Sequence, residues 1–341
     1  MESVGFDGLS ALGVDAVAQE VGTGSLPAPE RVTMAVRAAY DASREHDGGA
    51  VAGYIPELAA ADPEPFGVSV VDIAGRNYEV GDTEVSFTIQ SISKVFVYAL
   101  VADAWGHHAV RDAVGVNNTG LPFNSVMALE LNGGHPMNPM VNAGAIATTA
   151  MVAGGSVDER WERIRSGLSA FAGRRLDLDH AVFASESATN ARNQALARLL
   201  ESYGHLTGDA EESVDLYTRQ CALDVTAHDI AVMGATLADG GVNPVTGETV
   251  VGAQVCRDVL AIMASAGMYE RSGQWLFEIG LPAKSGVSGG IVAVAPGKGA
   301  VGTFSPRLDS AGNSVRGERA IAHLSRSLGL NVFASSVPER V

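Results

Sequence analysis

Several features that place proteins in well-known classes are missing from this chain of 341 residues. Acidic residues outnumber basic ones by 39 to 23, the formal net charge is −16, and the cations form no cluster. A nucleic-acid-binding surface requires such a cluster, so we expect no nucleic-acid partner. Neither the two cysteines, Cys221 and Cys256, nor the eight histidines show metal-ligand spacing. The local sequence therefore predicts no metal site.

Long apolar segments are missing as well. The longest apolar run, Val95 to Ala102, is far shorter than the roughly 20 residues that cross a membrane. Residues 1–13 contain two acids and no basic residue, and no continuous apolar run follows them, so they do not resemble a secretory signal. We expect a cytoplasmic, soluble protein with reduced cysteines and no membrane partner.

The chain has strand patterns near both ends and helical patterns between them. Two hairpins are predicted, over residues 66–80 and 290–304, because β-branched runs flank short glycine-containing turns. Helical spacing predicts helices over residues 30–45, 91–105 and 314–328, and several more in the middle of the chain. Strands and helices do not alternate regularly, which argues against a doubly wound parallel sheet.

This order predicts an α+β fold in two parts. An antiparallel sheet would combine N- and C-terminal segments, with helices flanking it and a mostly helical subdomain inserted between them. We assign residues 1–29 to an N-terminal extension and residues 30–335 to one catalytic domain. Its sheet part covers about residues 30–85 and 280–335, and its helical part covers about residues 90–275.

Lysine is scarce, with three residues against 20 arginines. Arginine stays protonated, whereas a buried lysine can lose its proton, so the positions of the lysines are informative. In Ser91-Ile92-Ser93-Lys94 the spacing places Ser91 and Lys94 on one face of a predicted apolar helix. Desolvation there would lower the pKa of Lys94 and let the neutral amine accept the proton of Ser91. The backbone N–H of Ser91 would be a free oxyanion donor at the start of the helix.

The same spacing has a structural interpretation, in which Ser91 caps the helix and Lys94 extends to solvent. Lys284-Ser285-Gly286 favours catalysis, because serine β-lactamases and penicillin-binding proteins combine S-x-x-K with a K-T-G strand. Their S-x-N or Y-x-N element occurs nowhere in this chain, which argues against both groups. Two other features are predicted to be solvated surface groups: Lys298 in a Pro-Gly-Lys-Gly turn, and the loop pair His107-His108.

Five segments resemble, in order, motifs of the serine-dependent glutaminase family: GYIPELA at 53–59, QSISK at 90–94, NPMVNAGAI at 138–146, SAGMY at 265–269 and LPAKSGV at 281–287. The resemblance extends over about residues 30–330. It implies a β-lactamase/transpeptidase-like fold, in agreement with the divided sheet. It also implies hydrolysis of L-glutamine to L-glutamate and ammonia, with no metal or organic cofactor, by a homo-oligomer (a dimer or tetramer).

The resemblance also implies roles for individual residues. Ser91 is the nucleophile, Lys94 its proton acceptor, and Tyr269 the second acid/base group, which lets ammonia leave and activates water. The other implied substrate contacts are Tyr54, Gln90, Asn142, Glu186, Asn193, Tyr217 and the backbone of Val287. Ser187 stands where the family usually has arginine.

The residue types at these positions suit the substrate. One carboxylate, that of Glu186, matches the α-ammonium group, and amides and phenols can donate hydrogen bonds to the α-carboxylate. Two purely structural alternatives are open. Asn142 would simply cap the helix that follows it, and Tyr217 would be an ordinary core aromatic.

The sequence is therefore consistent with three functions. The leading hypothesis is a glutaminase that works through a glutamyl-serine acyl-enzyme, and it requires ammonia release from glutamine. A penicillin-recognising hydrolase or transpeptidase would instead be acylated stably by labelled penicillin. A non-catalytic glutamine or glutamate sensor would bind glutamine and leave it unchanged.

Overall fold

The structure is a computed structural model that describes Val17 and residues 24–335 of the chain. Its helices are α1 Pro29–Ser43, α2 Pro56–Ala59, α3 Ser93–Trp105, α4 His107–Val114, α5 Val126–Leu131, α6 Asn142–Ala150, α7 Val157–Ala172, α8 His180–Thr189, α9 Ala191–Ser202, α10 Ala210–Cys221, α11 Ala227–Ala238, α12 Ala253–Ala266, α13 Ser272–Glu278 and α14 Val315–Ser327. Its strands are β1 Gly67–Asp72, β2 Asn77–Gly81, β3 Phe87–Thr88, β4 Asp224–Val225, β5 Ala283–Ser285, β6 Gly290–Ala295 and β7 Gly299–Phe304.

Five of the strands form one antiparallel sheet in the order β2-β1-β7-β6-β5. The centre of this sheet joins the two ends of the chain, because β1 pairs with β7 along its whole length, with Val70 opposite Val301. The predicted α+β class is thus confirmed, as are both hairpins. Strands β3 and β4 form a separate two-stranded ladder beside the sheet.

Helices cover both faces of the five-stranded sheet. The terminal helices α1 and α14 pack on one face and α11 packs on the other. Side chains of a strand alternate between faces, and the core follows this rule: Val68 and Val70 face the terminal helices, whereas Val71 faces the larger helical core. Other helices of the helical part pack against α11, so α11 lies between them and the sheet.

Two glycines allow α11 to lie close to the sheet. A Cβ atom on Gly302 of β7 would lie 2.2 Å from the carbonyl oxygen of Ala227, and one on Gly234 of α11 would lie 2.6 Å from Cβ of Ala300. Real Cβ atoms do not come this near, so only glycine permits the observed helix-to-sheet distance. The N-terminus of α11 is closed by a capping box between Thr226 and Asp229.

Several local expectations change in the structure. The predicted helix over 91–105 begins with a 3-10 turn, Gln90–Ile92, before α3 starts at Ser93. The loop assignment for His107-His108 is wrong: both residues start α4, and His107 Nδ1 lies 2.7 Å from Asp258 Oδ2. Lys298 is half-buried rather than fully solvated, because its Nζ donates to the carbonyl of Gly329 at 2.8 Å.

Most of the predicted extension, residues 1–29, lies outside the described residues. Within it, Val17 accepts a hydrogen bond from Arg326 Nε at 2.8 Å, and Leu26 packs against the core below α1 and α14. None of the described helices combines the length and the apolar character needed to cross a membrane.

Candidate active site

Ser91 lies where the β3 segment turns into α3. It occupies the middle of the 3-10 turn Gln90–Ile92 and is 7% exposed. The residue before it, Gln90, has a φ of 50°, a left-handed conformation that is costly for a residue with a Cβ atom. Among the described residues other than glycine, Gln90 and Tyr269 alone have positive φ, and both contact the same site. Such strain is typical of functional sites that the surrounding fold holds in place.

Lys94 lies one helical turn after Ser91 and is 1% exposed. Its Nζ donates to Asn142 Oδ1 at 2.7 Å and to the carbonyl of Met140 at 3.2 Å. Burial lowers the pKa of the Lys94 ammonium to about 8, and the distant carboxylate of Glu186 offsets only part of that effect. The capping interpretation is therefore wrong. Lys94 does not reach solvent, and no side chain caps α3.

Tyr269 lies close to Ser91 in the fold although it is distant in sequence. It starts a 3-10 turn after α12 with a φ of 53°. Its hydroxyl donates to the carbonyl of Ser285 at 3.1 Å and is hydrogen-bonded to the Ser91 hydroxyl. Burial raises the pKa of the Tyr269 phenol far above its usual range, and the bond to Ser91 acts weakly against this. The phenol is thus a proton donor at neutral pH.

A second buried amine borders the same phenol. Lys284, on β5, lies with its Nζ 4.3 Å from the centre of the Tyr269 ring and donates to the carbonyl of Ser285 at 2.7 Å. Burial and the nearby Lys94 hold the pKa of the Lys284 ammonium well below its usual range. Lys284-Ser285-Gly286, which sequence spacing singled out, therefore lies against Tyr269.

Eight of the ten site residues inferred from the sequence line one cavity of about 310 Å³: Tyr54, Gln90, Ser91, Asn142, Glu186, Asn193, Tyr217 and Val287. The other two, Lys94 and Tyr269, are bonded to members of this lining, namely Asn142 and Ser91. Tyr54 stands at the rim, where it is 59% exposed, whereas Val287 is buried. The structure thus brings all ten positions together from eight different segments of the chain.

Asn142 is the centre of the polar network in this cavity. It is the first residue of α6 and its side chain makes no cap, so the capping alternative is wrong. Its Oδ1 accepts from Lys94 and, at 3.3 Å, from the hydroxyl of Tyr217, and its Nδ2 donates to Asn193 Oδ1 at 2.9 Å. Tyr217 is buried as a core aromatic would be, but its hydroxyl belongs to this network.

The carboxylate of Glu186 lies at the other side of the cavity. Gln90 Nε2 donates to Glu186 Oε2 at 3.3 Å. Burial raises the pKa of Glu186 to about 7, and the hydrogen bond from Gln90 together with the charge of Lys94 opposes that rise. A bound cation would restore the ionised form of this carboxyl group.

The cavity contains residues that sequence reasoning missed, among them Phe123, Asn124 and Arg192. Arg192 Nε donates to the carbonyl of Asn124 at 2.8 Å, and the ring of Phe123 lies 4.8 Å from that of Tyr269. The sequence offered one signal for Phe123 and Asn124. They belong to the segment Gly-Leu-Pro-Phe-Asn at 120–124, whose apolar and amide residues have no helical or strand spacing and therefore indicate a loop. The signal for Arg192 was its position directly before Asn193, a predicted substrate contact.

Comparison with known proteins shows similarity along most of the chain. The sequence profile of the family described as Glutaminase matches residues 49–333. A protein named Glutaminase 2 from Yersinia pestis is 51% identical over 315 residues, covering 92% of this chain and 93% of that protein. A glutaminase from Microcystis aeruginosa is 46% identical over 301 residues, covering 88% of this chain and 89% of that protein.

Solved structures agree with the sequence relatives. The structure of the probable glutaminase ybaS superposes with a TM-score of 0.89 at 45% identity, covering 91% of this chain and all of that one. A probable glutaminase from Bacillus subtilis, in complex with 6-diazo-5-oxo-L-norleucine, superposes with a TM-score of 0.76 at 34% identity, covering 89% of this chain and 94% of that one.

Proposed function

The chain belongs to the serine-dependent glutaminase family of amide hydrolases, and we propose that it converts L-glutamine to L-glutamate and ammonia through an acyl-enzyme on Ser91. The observation that carries this proposal is local. A serine in the lining of a cavity of about 310 Å³ is followed, one helical turn later, by a fully buried lysine whose pKa is lowered to about 8. Such a lysine is a base near neutral pH.

Substrate binding uses the two polar sides of the cavity. The α-ammonium group of glutamine is placed at Glu186, whose buried carboxyl group gains a cation there. The α-carboxylate is placed at the amide and phenol groups of Asn142, Asn193 and Tyr217, which can donate hydrogen bonds to it. Tyr54 and Gln90 complete the contacts. A substrate lacking either charged group would leave buried polar atoms unpaired, which is the source of specificity.

Acylation begins with attack of Ser91 Oγ on the carboxamide carbon of glutamine. A neutral Lys94 amine has two N–H bonds, and Asn142 Oδ1 and the Met140 carbonyl accept both of them. The lone pair of the nitrogen then remains to accept the proton of Ser91. No acceptor for the backbone N–H of Ser91 or of Val287 is present among the described residues, so we assign both groups to the oxyanion hole.

Ammonia departs when the tetrahedral intermediate collapses and its C–N bond breaks. The departing nitrogen takes a proton from the Tyr269 hydroxyl, which burial keeps protonated, and the proton held by Lys94 restores the phenol. A water molecule then attacks the glutamyl ester. Its proton passes to Tyr269 as the phenol proton passes to Lys94. The ester C–O bond breaks, Ser91 regains its proton, and glutamate leaves.

Glutamine turnover by the purified protein tests this proposal. We expect ammonia and glutamate in equal amounts without added metal, loss of both in Ser91→Ala, and normal rates in Ser202→Ala, whose exposed hydroxyl bonds only within its own helix. Acid quenching during turnover should trap a glutamyl group on the peptide that contains Ser91.

Other outcomes of the same experiment would contradict the proposal. Glutamine that binds in a calorimeter but remains intact would indicate a sensor. Stable labelling of Ser91 by penicillin would indicate a penicillin-recognising enzyme. Normal turnover in Ser91→Ala would exclude the acyl-enzyme.

We also propose that the protein is cytoplasmic and that it forms a homo-oligomer. The two described cysteines, Cys221 and Cys256, are both buried free thiols, which is compatible with a reducing compartment. Cell fractionation tests the location, and light scattering coupled to size-exclusion chromatography tests for the dimer or tetramer. A monomer at micromolar concentration would contradict the second of these.

A further inference from the structure

Outside the proposed active site, the fold brings together three side chains of a kind that binds metal ions. Glu79 lies on β2, Glu84 lies between β2 and β3, and His228 lies in the first turn of α11. One ligand atom from each, a carboxylate oxygen from either glutamate and a ring nitrogen from the histidine, all lie within 4.8 Å of one another. We propose that Glu79, Glu84 and His228 bind a divalent transition-metal cation such as Zn²⁺.

The chemistry of the three donors determines the class of ion. An imidazole nitrogen with two carboxylate oxygens suits borderline divalent ions of the first transition row, such as Zn²⁺, better than soft Cu(I). Two carboxylates also balance the double charge of the ion. Three protein ligands leave further coordination positions to water, as in open zinc sites.

Neighbouring side chains orient two of the three ligands. The Ser69 hydroxyl donates to Glu79 Oε1 at 3.0 Å, and the same oxygen lies 2.8 Å from His228 Nδ1. The Asn77 amide lies 2.9 Å from that ring nitrogen. Such outer contacts reduce the reorganisation needed when a metal replaces a proton between ligands.

The cation of Arg174 does not oppose an ion at this place. The guanidinium of Arg174 lies within electrostatic reach of Glu84, but its Nε and Nη2 both bond to the carboxylate of Asp229. The charge of Arg174 is therefore compensated, and Glu84, which is exposed, can turn towards the other two ligands.

A bound ion would connect the edge of the sheet to the start of α11. Glu79 and His228 are 149 positions apart, so no local ligand spacing reveals the site. Because the unfolded chain does not hold these ligands together, binding should raise the unfolding temperature as metal concentration rises. The site does not include any residue of the proposed reaction, so its test is independent of glutamine turnover.

Calorimetric titration of the full chain with Zn²⁺ tests the site. The hydrogen bond to Glu79 raises the pKa of His228, so the titration is run at pH 8, where protons compete less for the nitrogen. We expect one ion per chain, at least tenfold weaker binding in both Glu84→Gln and His228→Ala, and a rise in unfolding temperature in the native chain alone. His107→Ala is the matched control, because His107 and Asp258 form another histidine–carboxylate pair at 2.7 Å.

X-ray absorption of the Zn²⁺ complex gives a second readout. The expected shell has one imidazole and otherwise oxygen ligands. Three results would each overturn the proposal: native binding no tighter than that of Glu84→Gln, an equal loss in His107→Ala, or sulfur in the metal shell. Since Glu84 is exposed, Glu84→Gln keeps the test valid even if His228→Ala disturbs folding.

Discussion

At the scale of single residues, the site around Ser91 contains two buried amines and one buried phenol. Lys94, Lys284 and Tyr269 are all buried, and among the described residues their hydrogen-bond partners are carbonyl, amide and hydroxyl groups. Burial destabilises an ammonium ion and a phenolate alike, and neither amine has a bonded carboxylate in the described part of the chain that would offset this effect. The site therefore holds a phenol that stays protonated and an amine that loses its proton near pH 8, as proton transfer in amide hydrolysis requires.

The role of Lys94 as a base is tested by Lys94→Arg. A guanidinium keeps the positive charge but cannot accept a proton, so we expect turnover to fall at least 10³-fold and no acylated Ser91 to accumulate. Lys298→Arg is the matched control, since Lys298 does not line the cavity and its Nζ donates to the backbone carbonyl of Gly329. Near-normal turnover in Lys94→Arg would contradict the assignment.

The pKa of Lys94 also predicts how the rate depends on pH. The neutral amine is the active form, so kcat should increase with pH and become constant above about 8, the pKa to which burial lowers this lysine. Glu186, with a pKa raised to about 7, adds a nearby ionisation, and Glu186→Gln separates the two. The limb near pH 8 should persist in that variant. A limb near pH 4 instead would point to a carboxylate base.

Tyr269→Phe separates proton transfer from substrate binding. The variant keeps the ring that packs on Phe123 but loses the hydroxyl bonded to Ser91 and Ser285. We expect kcat to fall by roughly 10²–10⁴, the usual scale for a lost general acid or base, with glutamine binding largely preserved. Steady-state kinetics decide the matter, and a change confined to KM would show that Tyr269 only binds substrate.

At the scale of elements, the turn before α3 and the contact between α11 and the sheet position the site. Ser91 follows β3, which pairs with β4, and β4 leads directly into α11. The left-handed residue Gln90 lies in this segment, next to Ile89, whose N–H donates to the carbonyl of Leu223 at 2.8 Å. Any change that moves α11 away from the sheet therefore also affects the segment that carries Ser91.

Gly302→Ala tests this dependence. The added Cβ would lie 2.2 Å from the carbonyl of Ala227, so α11 must shift, and we expect a loss of about 1–3 kcal/mol in the free energy of unfolding. Gly273→Ala is the control, because a Cβ at Gly273 of α13 has no neighbour within 4 Å. Chemical denaturation of both variants measures the difference. Equal stability of the two would show that the close contact is not required.

At the scale of the whole molecule, buried acids link folding to pH. Burial raises the pKa of Glu318 on α14 to about 7, although Arg271 lies 3.7 Å away. Between its unfolded pKa near 4.5 and about 7 the folded state binds more protons, so this group makes the fold less stable as pH rises through that range.

Glu318→Gln should remove this contribution. The amide imitates the protonated acid, so the variant should match the native chain near pH 4.5 and exceed its stability by up to about 3 kcal/mol at pH 8. Glu57→Gln, at an exposed glutamate, should change little at either pH. Unfolding curves at both pH values provide the measurement, and a variant that is less stable at pH 8 would show that the ion pair with Arg271 dominates.

The sequence by itself determined what depends on neighbours along the chain. The spacing of Ser91 and Lys94 within one turn, the capping box of Thr226 and both hairpins follow from contacts a few residues apart. The order of strand and helix patterns also predicted the divided sheet, because strands buried on one face must pair with one another. The five motifs in their order indicated the family. The chemistry of the individual residues alone would not have identified it.

Only the tertiary structure decided which distant groups meet and which lose water. Asn142 contacts Lys94 rather than capping α6, and Phe123 and Arg192 join the cavity because a loop and a helix that are distant in sequence meet there. The pKa values of Lys94 and Glu318 follow from burial, which depends on the packing of whole elements and has no signature within a few residues of sequence. For the same reason Glu79, Glu84 and His228 form a group only in the folded chain, since long-range packing brings β2 and α11 together.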